Sequence, residues 1–193
     1  EQPLPPYGSC LLGSVNLTKF VVDPFTPQAR FEWDEFRKVV QIFTRMLDNV
    51  YEVSRFPLPQ QESAARGSRR LGLGITGLAD ALAMLGLDYV APAARGVAAE
   101  AMRTICESAY LASIELARER GSFVRFDRER YLAAPFVTRL PAHVRAAIAR
   151  HGTSAIASWG VLPTPGTTAP LPAPPSAASS LLPAAQQRPV TNL

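Results

Sequence analysis

The chain has 193 residues, enough for one domain with a real core, and 47% of them are hydrophobic, as in a soluble globular protein. A formal net charge of +4 and a pI near 9.4 are mildly basic, but Lys and Arg are scattered and often lie near Asp or Glu, so nucleic-acid binding is set aside. No apolar run approaches the ~20 residues that cross a bilayer, and the start lacks the charged-then-apolar layout of a signal peptide, which leaves the cytoplasm as the expected compartment.

In chain order, Glu1 to Ser9 carries Pro3, Pro5 and Pro6, which rules out helix and predicts an extended loop. Leu11, Leu12, Val15 and Leu17, broken by Gly13, read as a short strand or a buried turn. From Asp34, a candidate N-cap, to about Val53 the pattern becomes helical, with Phe36, Val40, Phe43, Leu47 and Val50 on one stripe. Pro57 and Pro59 end it, and "QQESAARGSRR" reads as a polar connection that begins with a helical turn. A buried strand is expected at Leu71 to Ile75 and a compact helix from Leu78 to Leu85. The longest helix runs from Ala93 to Arg120, with Ala98, Ala101, Ile105, Ala112 and Leu116 on one face and Gly121 as its stop. A last helix spans Ala142 to Arg150.

Beyond Gly152 the composition changes. From Thr153 to Leu193 the only charged side chain is Arg188, and prolines interrupt a mix of Ala, Ser, Thr and Leu, which predicts a disordered or loosely docked tail. The division is therefore 1–152 as the folded part and 153–193 as the tail.

Four features invite chemistry, and each has a plainer reading. "GLGITG", with Gly72, Gly74 and Gly77, matches a dinucleotide fingerprint, but its feeder "ARGSRR" is not an apolar strand and the expected acid falls in the Ala-rich helix. The glycines read better as a crowded strand-to-helix turn. Cys106 lies mid-helix beside Ile105 with no His or second Cys near it, and reads as buried filler. His143 and His151, eight residues apart, have no metal-ligand spacing. Glu1 and Cys10, judged alone, read as a frayed terminal charge and a core residue beside Leu11.

A resemblance changes the reading of those last two residues. "EQPLPPYGSCLLGSVNL", with "FPLPQQESAARGSRRLGLGITGLADALAMLGLDY" farther on, closely resembles the large catalytic subunit of ribonucleotide reductases, best its adenosylcobalamin-dependent (class II) branch, over about Glu1 to Gly152. The implied fold is α/β: a helix-rich partial segment of the ten-stranded reductase barrel. In that family a central loop carries Asn-x-Cys-x-Glu, and a further cysteine follows nine residues after the glutamate, the separation of Glu1 and Cys10. The resemblance thus places the radical-bearing cysteine two residues ahead of Glu1, and the chain reads as a C-terminal portion.

The implied chemistry replaces a ribose 2′-hydroxyl by hydrogen. A thiyl radical takes the 3′-hydrogen, the 2′-oxygen leaves as water, and a carboxylate, matched by Glu1, accepts the 3′-hydroxyl proton. Two electrons come from a thiol pair closing to a disulfide; Cys10 matches one member and the other lies outside the chain. Such a pair needs its Cα atoms within ~7 Å. Adenosylcobalamin supplies the radical. The implied partners are a ribonucleoside di- or triphosphate, a dithiol reductant such as thioredoxin and, in the full-length enzyme, a second copy of the subunit.

The C-terminal part departs from the family pattern. There an Arg-Asn-Ser stretch and a Pro-Thr-Gly-Thr phosphate loop follow His-Gly, whereas "HGTSAIASWGVLPTPGTTAP" has only a distorted echo. Thr153 to Trp159 encoded as ACA TCC GCA ATA GCC AGC TGG, read from the third nucleotide, gives Ile-Arg-Asn-Ser-Gln-Leu, so a shifted reading frame is one expectation. Two rival readings stand beside the first: a class I, metal-dependent large subunit with the same loop logic, and a non-catalytic helical interaction domain in which Cys10 is filler.

Overall fold

The computed structural model describes residues 4–159. Residues 1–3, Glu1 among them, and 160–193 lie outside the described residues.

Strand β1 (Cys10–Asn16) leads through a 3-10 turn at Leu17–Phe20 into a two-stranded hairpin of β2 (Val21–Val22) and β3 (Arg30–Phe31). Helix α1 (Trp33–Val53) and α2 (Pro59–Ser68) then cross to β4 (Arg70–Thr76). Helices α3 (Leu78–Met84), α4 (Pro92–Arg120), α5 (Arg128–Ala133) and α6 (Ala142–His151) return to β5 (Ile156–Trp159). Strands β1, β4 and β5 form one parallel sheet in that order, with Cys10 opposite Arg70 and Arg70 opposite Ile156. The described chain is thus mostly helical, mixed α/β, with both parallel connections made through helices.

The sheet and α1 are matched by shape. Phe36, Val40 and Leu47 are buried against Val15, Leu71, Leu73 and Ile75, and Phe43 packs onto the same cluster. A Cβ at Gly13 would run into the Phe43 ring, so β1 and α1 can approach this closely only with glycine there. Phe20, Phe31, Trp33 and Phe36 form an aromatic cluster with ring centroids 4.4 to 6.4 Å apart, which seats the hairpin on the start of α1. The second half of α4 packs Tyr110 and Ile114 against Val137, Leu140, Val144 and Ile148 in a separate cluster.

Three local expectations change. Asp34 is not the cap of α1; Glu32 holds that position without a side-chain bond, while Asp34 and Glu35 sit in the first turn, where acids are stabilised by the positive end of the helix dipole. The polar stretch "QQESAARGSRR" is mostly α2, started by Pro59 at its first position and buried through Ala64, Ala65, Gly67 and Ser68. Order also continues past Gly152: Thr153, Ser154 and Ala155 are buried, and β5 follows. Gly72 and Gly74 lie inside β4, so "GLGITG" has no phosphate-cradling loop over those residues; Gly77 alone makes the turn, at φ 68°. A Cβ there would meet the Asn16 carboxamide, which caps the 3-10 turn.

Candidate active site around Cys10

Cys10 is the first residue of β1 and is half-buried, with a free thiol. Burial pushes that thiol up from its ordinary value, and the charge of Arg70 pulls it back. Arg70 opens β4 as the register partner of Cys10, so the pleat puts both side chains on one face of the sheet.

The two strand heads are tied together from α1. The Tyr51 ring is 1% exposed. Its hydroxyl donates to the Arg70 carbonyl at 2.7 Å and lies 3.4 Å from the Ser9 carbonyl, one residue before Cys10. Burial pushes the phenol up, so it stays a neutral donor. The Arg69 guanidinium sits 5.5 Å from the centre of the Tyr51 ring.

Arg69 is in turn fully occupied. It ends α2 in the left-handed conformation, φ 45°, which turns its side chain back onto α1. There its Nε reaches Asp48 at 3.0 Å and its Nη1 reaches Glu52 at 2.6 Å. The Arg69 bond holds the Glu52 carboxyl below the usual carboxylate range. Asp48, 0% exposed, also accepts from Arg120 of α4 at 3.1 Å. Tyr51, Asp48 and Arg69 were not singled out in the sequence; the signal was the continuation of the α1 stripe through Thr44, Leu47 and Tyr51, all buried.

Cys106 is not brought into this site. It packs with the second cluster, and burial, with the Glu107 charge, pushes its thiol up to about 11. His143 is bound to Glu107 at 2.9 Å on the surface. Glu1, the other expected site residue, lies outside the described residues. No helix among the described residues is long and apolar enough to cross a membrane.

The sheet with a thiol at its head can be compared with known families, and the profile of the ribonucleotide reductase barrel domain matches residues 1–170. The chain belongs to the ribonucleotide reductase barrel family. Over 131 residues it is 44% identical to the vitamin B12-dependent ribonucleoside-diphosphate reductase of Mycobacterium tuberculosis, a match covering 68% of this chain and 18% of the relative. A reductase of the same name from Thermoplasma acidophilum is 41% identical over 123 residues, 64% of this chain and 16% of the relative. The ribonucleoside-diphosphate reductase large chain of Encephalitozoon cuniculi is 29% identical over 169 residues, 82% of this chain and 21% of the relative. The chain therefore spans about a fifth of the length of these curated relatives.

Proposed function

We propose that this segment works within the catalytic barrel of a vitamin B12-dependent ribonucleotide reductase and supplies one of the two thiols that reduce the substrate. The carrying observation is Cys10: a free, half-buried thiol at the head of a strand whose position is fixed by Tyr51. Its strand, with β4 and β5, would form three neighbouring strands of a ten-stranded barrel. The substrate is a ribonucleoside diphosphate or triphosphate; the relatives, named ribonucleoside-diphosphate reductases, favour the diphosphate.

The reaction has a defined balance. One ribonucleotide and one dithiol become one deoxyribonucleotide, one disulfide and water. Glu1 accepts the 3′-hydroxyl proton as the adjacent carbon loses its hydrogen, and returns it when the product forms. Cys10 and a partner thiol outside the chain together give two electrons and two protons and close to a disulfide. Burial favours the protonated form of Cys10, which is the form that can deliver hydrogen and its proton. An external dithiol such as thioredoxin then reopens the disulfide. The full-length enzyme is expected in the cytoplasm, with a second copy of the subunit as its partner.

Adenosylcobalamin, when bound, supplies the radical that starts turnover. The described residues do not by themselves fit a corrin. The groove along α1, α4 and α6, about 590 Å³, is lined by Ile42, Leu111 and the charges of Arg45, Glu115 and Arg118, of which Arg118 is bound to Glu115 at 2.9 Å. No residue here is assigned to the cofactor.

A metal-dependent class I subunit is the second reading, favoured by the match to the Encephalitozoon large chain over 82% of this chain; the higher identities, 41% and 44%, favour the B12-dependent one. Turnover of the full-length enzyme on added adenosylcobalamin decides between them. Full activity without it, on adding a separate radical-generating subunit, would overturn the B12 reading.

A further inference from the structure

Among the arginines at the end of α2 and the start of β4, Arg70 is the one without an ion pair among the described residues. Arg69 beside it is bound to Asp48 and Glu52, and Arg66 to Glu52 and Glu62. Arg70 appears in no ion pair among the described residues, and its Nε is buried without a hydrogen-bond partner. Native proteins rarely leave a buried donor without a partner, so the position of this one calls for an explanation. Its main chain is nevertheless pinned, through the 2.7 Å bond from Tyr51 to its carbonyl. The register partner of this pinned cation is Cys10.

Among the described residues, Arg70, the register partner on β4, and the phenol of Tyr51 on α1 are the titratable groups that interact electrostatically with the Cys10 thiol. The phenol is held neutral by burial. Arg70 is then the cation acting on the sulfur, and it works against the larger effect of burial. This opposition suits a thiol that must be protonated during substrate reduction yet carry negative charge briefly afterwards.

We propose that Arg70 is a positioning residue that makes Cys10 the leaving sulfur when the Cys10 disulfide is re-reduced. The proposal rests on reading Cys10 as a redox thiol. A thiolate of the external dithiol attacks the partner cysteine's sulfur, forming a mixed disulfide; the old S–S bond breaks and its electron pair stays on Cys10 beside the guanidinium. The reductant's second thiolate then attacks its own mixed-disulfide sulfur, closing the reductant's disulfide and releasing the partner thiolate. Both released thiolates take up protons, so the reductant loses two electrons and the pair gains two. A thiolate leaves faster the lower its proton affinity, and a fixed cation lowers it.

The test follows the thiol itself. Iodoacetamide labelling of the 193-residue chain across pH, resolved by mass spectrometry, reports Cys10 and Cys106 separately. Arg70→Gln should slow Cys10 labelling at neutral pH about threefold and move its profile to higher pH, Arg70→Lys should restore most of the rate, and Cys106 should not change. Where Arg70→Gln loosens the fold, seen as Cys106 labelling at its urea-unfolded rate, Arg70→Met, which keeps the aliphatic stem, takes its place with the same expectation. An unchanged Cys10 profile overturns the proposal, and so does a slowing that Arg70→Lys fails to rescue. These rates do not depend on turnover, so they can fail while Cys10→Ser still abolishes catalysis, and the reverse.

Discussion

Cys10 sits between burial, which favours its proton, and Arg70, which favours its charge. That balance depends on where the two strand heads are held, and the holder is one phenol. Tyr51→Phe leaves the Arg70 carbonyl without its side-chain donor while keeping the ring. It should lower stability to urea by about 1 kcal/mol, with an unchanged m-value. Cys106 gives a separate check at high pH. Its folded value, about 11, lies above the ordinary 9.0, so the folded state holds the proton more tightly than the unfolded chain. Its contribution is complete below pH 9.0 and is lost as pH climbs through about 11. Cys106→Ala should therefore flatten the fall in stability over that interval, measured by denaturation at stepped pH; an equally steep fall would remove the buried thiol as its cause. At this scale little is legible without a family: Cys10 stands out only through the resemblance. Which of two adjacent arginines is paired depends on the left-handed turn at Arg69, and no periodicity encodes that.

Helix α1 is the brace of the site. One face packs on the sheet through Phe36, Val40 and Leu47, and its last turns reach α2 and α4 through Asp48. Removing that carboxylate takes the shared buried acceptor from two arginines, one of them with a side chain only 13% exposed. Asp48→Ala should cost about 3 kcal/mol by urea denaturation, well beyond an exposed ion pair such as Arg37 with Asp34. A loss under about 1 kcal/mol would mean that packing alone joins the three helices. The long elements were legible because their apolar spacing is long and regular: α1 and α4 end within a residue of the expected bounds. Helix α2 was not, because its buried face is made of Ala, Gly and Ser, which carry almost no hydrophobic contrast.

For the molecule as a whole, the sheet order β1, β4, β5 brings distant segments of chain side by side. The expected break at Gly152 hid the last of them. A four-residue strand is too short to show a period, and the proline-rich composition farther on masks the proline-free run from Thr153 to Trp159. That run is anchored: Ser113 of α4 meets Thr153 at 2.5 Å between hydroxyls, and the Ser154 amide donates to the Ser113 carbonyl at 3.1 Å. A chain ended at Gly152 should accordingly lose about 2 kcal/mol or more of stability, read by thermal or urea unfolding, and an unchanged midpoint would make β5 dispensable. The proposed pairing of Glu1 with Cys10, which rests on the resemblance and their spacing, joins a residue outside the described ones to the head of β1.

The most direct measurement is turnover by the full-length enzyme carrying Cys10→Ser. With adenosylcobalamin, ribonucleotide and a dithiol reductant, the variant should still generate the radical, yet fail to sustain repeated deoxyribonucleotide formation. Steady-state turnover at the unmodified rate would contradict the account.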